Sequence, residues 1–169
     1  SLLQADRLKG DPQMFQEEFM RRAIEISATA LETDGSEPFG AVVVKDGKVV
    51  GEGINESLLK HDPTSHGETE AIRDACRRMR TVDLRGCELY SSCEPCALCV
   101  AAMEIAGISG LYYAADLGQA GRALGILPKA ARFPIDSDRL REECGKTIGR
   151  RSMPSRQALA DDAIQIINA

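Results

Sequence analysis

The chain has 169 residues, of which 43% are apolar, 28% charged and 4% aromatic, and its formal net charge is −5. Such a composition is typical of a folded domain with a sizeable core. The acidic balance disfavours a nucleic-acid partner, because phosphate backbones are bound by clustered Lys and Arg. No apolar run approaches the ~20 residues that a membrane span needs. We therefore expect neither a nucleic-acid partner nor membrane contact.

The chain contains six cysteines, an even number that could form disulfides. The N-terminus carries no signal-peptide pattern, however, and a domain of this size needs no covalent staples. These features predict a reducing compartment, the cytoplasm, in which the thiols are free or bound to a metal. The cysteines are Cys76, Cys87, Cys93, Cys96, Cys99 and Cys144.

The first half of the chain predicts a helix followed by a hairpin. Residues 1–12 are polar and contain a Gly-Asp-Pro turn, so we expect a flexible arm there and a single domain over residues 13–169. Apolar residues at helical spacing predict a helix from Met14 to Leu31. The Asp46-Gly47 pair is typical of a tight hairpin turn. It joins a strand at Ala41–Lys45 to a returning strand at Lys48–Gly53.

The next segments alternate between helix and strand. The patterns predict a helix at about 66–79, a strand at Cys87–Ser91, a helix at Pro95–Ala106 that ends at Gly107, and a strand at Gly110–Ala115. This order indicates a mixed sheet covered by helices. After Asp116 the signal weakens, with short helices predicted at Gln119–Ile126, Asp138–Ile148 and Ser155–Ala160 and an ambiguous stretch at Ile164–Ile167.

Two short motifs predict a metal site. His66-Gly67-Glu68 lies at the start of a predicted helix, and Pro95-Cys96-Ala-Leu-Cys99 begins another. One imidazole and two thiolates fill three of the four tetrahedral positions of Zn²⁺, and catalytic zinc sites leave the fourth open. Glu68 is then available to carry protons during a metal-assisted hydrolysis. We therefore expect His66, Cys96 and Cys99 to bind zinc and Glu68 to be catalytic.

A second cysteine pair competes with this assignment, because Cys93 and Cys96 also form a C-x-x-C motif. Pro95 suits the first position of a helix, so Cys96 and Cys99 share one helical face and Cys93 falls at the end of the preceding strand. The alternative is a structural zinc module for interaction with other proteins. In that module Cys93 or His61 would close the fourth position.

The stretch from about Pro38 to Asp116 resembles the cytidine deaminase superfamily and, within it, the bacterial guanine deaminase group of free-base and nucleoside deaminases. The resemblance implies a three-layer α/β/α sandwich with a mixed sheet of about five strands and a catalytic zinc. It also implies a homodimer and a hydrolase that acts on C–N bonds in cyclic amidines and releases ammonia. The matching segments are Pro38–Val44, Gly53–Asn55, Asp62–Glu68, Ala71–Arg73, Leu89–Cys99 and Tyr112–Ala115.

The same resemblance suggests substrate-binding residues. Asn55 matches an asparagine that holds a ring carbonyl or a sugar hydroxyl, and Phe39 matches a ring-stacking aromatic. Gly67 stands where the family usually has Ala, and we count it with Asn55 and Phe39 as a substrate-binding residue. Residues 119–127 lack the acidic residues that guanine deaminases carry there, and segment 128–169 diverges. We expect a guanine-like purine or related heterocycle as substrate, with cytosine, cytidine or tRNA adenosine as alternatives.

Overall fold

The computed structural model describes residues 14–124 and 135–169, and the chain divides into two compact units, Ser1–Pro134 and Ile135–Ala169. The arm predicted for residues 1–12 lies outside the described residues. Compactness alone does not show which part folds independently. The single deaminase domain predicted over 13–169, with its divergent segment 128–169, therefore stays a prediction.

The first unit is built around a mixed sheet with the strand order β2-β1-β3-β4. Its strands are β1 Glu37–Lys45, β2 Lys48–Asn55, β3 Glu88–Cys93 and β4 Gly110–Ala115. Strand β1 pairs antiparallel with β2 and β3, whereas β3 and β4 are parallel. The described residues therefore contain four strands where about five were expected. The described chain after β4 forms helices and adds no further strand to the sheet.

Helices cover both faces of this sheet, as the expected three-layer α/β/α sandwich requires. They are α1 Glu17–Ala28, α2 Gly67–Met79 and α3 Ala97–Ala106, and a further helix, α4 Leu117–Leu124, follows β4. Helix α1 packs with Val42, Val44 and Tyr90 on one face of the sheet. On the other face α2 and α3 pack against Val43 and Leu89. Neighbouring strand residues thus alternate between the two cores.

The turns between these elements follow the sequence closely. Asp46 and Gly47 have positive φ values of 50° and 71°, the backbone that a tight two-residue hairpin turn of this kind requires. Gly107 ends α3 in the left-handed conformation, as predicted. The expectation that Pro95 is the first residue of α3 is wrong, because Cys96 is the N-cap and Ala97 begins the helix.

The second unit contains α5 at Ser137–Gly145, a short 3₁₀ helix at Ile148–Arg150 and α6 at Ala160–Ile167. The helix predicted over Ser155–Ala160 is wrong, because residues 154–159 are irregular and α6 begins only at Ala160. Leu159, the residue before α6, has a positive φ of 56°. This backbone conformation separates α6 from the irregular residues 154–159. Within residues 14–124 and 135–169, no helix has the length and apolar character to cross a bilayer.

Candidate metal centre

His66 lies at the N-cap of α2, where its extended backbone has φ −93° and ψ 160°. The backbone N–H of His66 donates to Thr69 Oγ1 at 2.9 Å, and the Thr69 hydroxyl also contacts the Thr64 carbonyl oxygen at 2.6 Å. These contacts fix the residue just before the helix. Because His66 is extended and Glu68 is helical, two side chains only two residues apart can reach the same place.

Cys96 and Cys99 occupy the corresponding position on α3. Cys96 is the N-cap, with φ −72° and ψ 172°, and Cys99 follows in the first turn. Both thiols are buried, and their Sγ atoms are 3.7 Å apart. The structure therefore presents both sulfur atoms at the N-terminus of a helix, where the backbone favours thiolate formation.

The three side chains converge on one point. His66 Nδ1 lies 3.5 Å from Cys96 Sγ and 3.4 Å from Cys99 Sγ. Tetrahedral Zn²⁺ with ~2.3 Å bonds to sulfur and ~2.0 Å bonds to nitrogen separates two sulfur ligands by about 3.8 Å and a sulfur and a nitrogen ligand by about 3.5 Å. The observed edges match these values, so the donor set and its geometry fit zinc.

Neither Cys93 nor His61 belongs to this cluster. Among the described residues, the one group of at least three potential ligands consists of His66, Cys96 and Cys99. Cys93 is the last residue of β3, as the sequence predicts. Burial, followed by the charge of Glu68, raises the pKa of the Cys93 thiol to about 11. The geometry therefore leaves a fourth position without a protein ligand from Cys93 or His61.

Glu68 lies against this cluster with only 6% of its surface exposed. Its Oε2 atom is 3.4 Å from Cys99 Sγ, and its Oε1 atom accepts a hydrogen bond from Ser91 Oγ at 3.3 Å. Burial raises the pKa of the Glu68 carboxyl above its ordinary value, because the charged form loses hydration. A carboxyl group in this position can serve as a general acid or base.

The two clustered thiols differ in acidity. Hydrogen bonding between them lowers the pKa of Cys96 to about 4 and raises the pKa of Cys99. His66 adds to the effect on Cys96 through its hydrogen bond and its charge. At least one sulfur is therefore ionised readily at neutral pH, as metal binding requires.

The backbone of Phe39 contacts the first turn of α2 directly. A Cβ atom at Gly67 would lie only 2.5 Å from the Phe39 carbonyl oxygen. The register of β1 with β2 shifts between Glu37 and Gly40, and Phe39 lies in this irregular stretch with its side chain half-buried. Bulges of this kind often occur beside active sites, where they redirect a side chain. Phe39 and Gly67 are thus neighbours beside Glu68.

Asn55 ends β2 on the same side of the sheet. A Cβ atom at Gly53 would lie 2.3 Å from the Gly67 carbonyl oxygen, so this face of β2 touches the first turn of α2. Asn55, two residues further along the strand, is oriented to the same face. The Glu56 N–H donates to the Ser65 carbonyl oxygen at 3.1 Å, which ties the residue after Asn55 to the residue before His66.

Sequence reasoning missed the residues that support this centre. Ser91 contacts Glu68, and its place two residues before Cys93 on one strand face was the available signal. The residue before the N-cap His66 also contributes, because the Ser65 hydroxyl donates to Glu70 at 2.9 Å. Glu70 has 8% of its surface exposed and fastens the preceding loop to α2.

Residues 13–115 match the family model of the cytidine and deoxycytidylate deaminase zinc-binding region. The chain therefore belongs to this family of zinc-binding deaminases. It is a hydrolase that acts on C–N bonds in cyclic amidines, and zinc is its cofactor.

Individual relatives differ in their substrates. The chain is 40% identical over 110 residues to guanine deaminase of Bacillus subtilis, across 65% of this chain and 70% of that protein. It is 38% identical over 102 residues to tRNA-specific adenosine deaminase of Aquifex aeolicus, across 60% of this chain and 67% of that protein. The X-ray structure of the Bacillus guanine deaminase superimposes with a TM-score of 0.76 and 32% identity, covering 92% of each chain.

Proposed function

We propose that this protein removes the exocyclic amino group of a free guanine-like purine base and releases it as ammonia. The observation that carries the proposal is the buried Glu68 carboxyl beside the His66, Cys96 and Cys99 cluster. The Phe39 backbone contacts the first turn of α2, and the buried Asn55 ends β2 on the same face of the sheet. A planar heterocycle with a carbonyl group suits an aromatic ring and an amide donor.

Each residue has a distinct role in this proposal. His66, Cys96 and Cys99 hold zinc, which when bound acidifies a water molecule for hydrolysis. Glu68 accepts a proton at a carboxylate oxygen and delivers it to a ring nitrogen, and later to the departing amino group. Burial of Glu68 against Cys99 keeps bulk water from competing for this proton. Phe39 stacks on the ring, while Asn55 and the backbone at Gly67 set its orientation.

Two observations favour a free base over tRNA. The net charge of −5 opposes a phosphate backbone. The likeness to the Bacillus guanine deaminase structure extends over 92% of each chain, well beyond the residues that match the family model. A tRNA adenosine remains the alternative because of the 38% identity to the Aquifex protein.

We also propose that the protein forms a homodimer through α3 and β4. Helix α3 has a single charged residue, and β4 is an edge strand. A symmetric contact between two copies would remove this apolar surface from water. Its exposed residues are Leu98 at 36%, Val100 at 40%, Ile105 at 87%, Leu111 at 37% and Tyr113 at 48%. Light scattering on the wild type and on Ile105→Asp tests this proposal, because the variant should shift towards monomer.

The zinc-loaded protein can be tested on a panel of guanine, adenine, cytosine, cytidine and tRNA that carries an unmodified wobble adenosine. Ammonia release with guanine as the best substrate is the expected result. Deamination of tRNA with no activity on any free base would overturn the proposal. Stoichiometric zinc with no ammonia from the whole panel would instead favour a structural zinc module.

The cytoplasmic location stays a prediction, consistent with six free thiols.

A further inference from the structure

The carboxamide of Asn55 is held in one orientation by Ser57. The Ser57 backbone N–H donates to Asn55 Oδ1 at 3.1 Å, and the Ser57 hydroxyl donates to the same oxygen at 2.8 Å. A backbone N–H can only donate, so the amide atom that it contacts must be the oxygen. The hydrogen bonds therefore fix which end of the carboxamide is the acceptor, and Nδ2 lies at the other end.

Both residues are deeply buried, with 3% of Asn55 and 4% of Ser57 exposed. Within residues 14–124 and 135–169, the hydrogen bonds of the Asn55 side chain are the two that its Oδ1 accepts. Nδ2 is not among the enclosed side-chain atoms that lack a partner, so it is open to water or to a bound molecule, to which it can only donate. We expect the bound substrate to supply the acceptor for these N–H groups.

The loop that carries Ser57 is anchored on both sides. Its own carbonyl oxygen accepts from the Asp62 N–H at 3.0 Å. Lys60 Nζ lies 2.9 Å from Glu70 Oε2, and the Ser65 hydroxyl donates to Glu70 Oε1 at 2.9 Å, so the loop is tied to α2. Because α2 also carries His66 and Glu68, the Asn55 amide is held at a constant place relative to the metal cluster.

We infer that Ser57 is a specificity-determining positioning residue, which locks Asn55 as a hydrogen-bond donor so that the site selects a base with a carbonyl group and rejects one with an amino group at the same ring position. The inference rests on the proposed function and specifies the substrate class of that site. An amino group there would place two donors against each other and leave both without an acceptor, a mismatch that polar binding sites reject strongly.

Two purines separate the two cases, since guanine carries a 6-oxo group and 2,6-diaminopurine carries a 6-amino group, while both keep the 2-amino group. Wild-type protein should have a kcat/KM for guanine at least about 100-fold above that for 2-deamination of 2,6-diaminopurine. Ser57→Ala removes the hydroxyl donor and keeps the backbone N–H. It should lower this ratio by about 5- to 10-fold, because one hydrogen bond instead of two then holds the amide in its orientation.

Ser57→Thr keeps both donors and should restore the ratio, which a purely structural role for residue 57 does not predict. Asn55→Asp keeps the acceptor for Ser57 but replaces the outward N–H groups by an oxygen. This variant should reverse the preference in favour of 2,6-diaminopurine, and it serves as an independent measurement if Ser57→Ala folds poorly. Zinc content and the unfolding midpoint are recorded for every variant.

The outcomes distinguish this inference from the proposed function. If the wild type deaminates no free purine, the proposed function fails. If the wild type deaminates guanine but Ser57→Ala changes both substrates equally, and Asn55→Asp keeps the wild-type preference, then the inference about Ser57 is overturned while the function stands.

Discussion

The Oε2 atom of Glu68 lies 3.4 Å from the Sγ atom of Cys99, so the proposed proton carrier touches one of the proposed zinc ligands. The two residues are 31 positions apart in the chain, and their contact joins the first turn of α2 to the first turn of α3. Chemistry at this centre therefore depends on how accurately these two helix N-termini are held together.

Replacement of Glu68 by Gln should abolish turnover and leave zinc bound. The amide keeps the shape of the side chain and its contact with Ser91 but cannot carry the proton, so ammonia release should fall by about 10²- to 10⁴-fold. Steady-state ammonia assays and zinc analysis of the same preparation provide the measurement. Wild-type ammonia release by a Glu68→Gln protein with full zinc would contradict the proposed mechanism.

The two C-x-x-C pairings make opposite predictions for single cysteine variants. Cys96→Ala and Cys99→Ala should each lose most of the bound zinc, because two remaining ligands do not hold the ion tightly. Cys93→Ala should retain one zinc per chain, since Cys93 lies outside the ligand cluster. Zinc stoichiometry after dialysis measures the difference. Loss of zinc from Cys93→Ala together with its retention in Cys99→Ala would reverse the assignment.

The sequence predicted the elements and the metal motifs because both depend on local patterns. The Asp46-Gly47 turn, the Gly107 helix end and the boundaries of β4 follow from residue types and short spacings. The supporting contacts did not follow, since Ser91 reaches Glu68 across 23 residues of sequence and the irregular pairing at Phe39 has no local signal. The strand count was also wrong for the described residues, because the resemblance, and not periodicity, supplied the number five.

Loss of the Glu70 charge should loosen the loop that carries Ser57. Although burial acts in the opposite direction, hydrogen bonds from Lys60, Ser65 and Arg73 together lower the pKa of the Glu70 carboxyl below its ordinary value of 4.5. Glu70→Gln weakens these contacts and should reduce the free energy of unfolding by about 1–3 kcal/mol at pH 7. Urea unfolding of both proteins provides the measurement.

The pH dependence of this difference has a definite sign. A carboxyl whose pKa is lowered in the folded state contributes stability above its unfolded pKa and loses it as the pH falls through the folded value. The difference in the free energy of unfolding between wild type and Glu70→Gln should thus be constant above pH 4.5 and become smaller below it. Asp138→Asn, in an exposed ion pair with Arg141, is the control and should change little at any pH. A gap that widens in acid would rule out this role for Glu70.

The close approach of Phe39 to Gly67 predicts that even a single methyl group is costly there. Ala is the usual residue at this position in the family that the sequence resembles, yet here its Cβ would lie 2.5 Å from the Phe39 carbonyl oxygen and 3.3 Å from the Gly40 Cα. Gly67→Ala must therefore displace β1 and should lower the free energy of unfolding by about 1–3 kcal/mol. Because Phe39 would move with the strand, KM for the base should also rise.

Gly121→Ala provides the matched control, because a Cβ atom at Gly121 in α4 meets no atom within 4 Å and its φ is not positive. This variant should be as stable as the wild type or slightly more so, since Ala favours a helix. Urea unfolding midpoints and KM for the best base of the panel give the comparison. If Gly67→Ala and the wild type have equal stability and equal KM, β1 accommodates the added methyl group without cost. The position of Phe39 would then not depend on a glycine at residue 67.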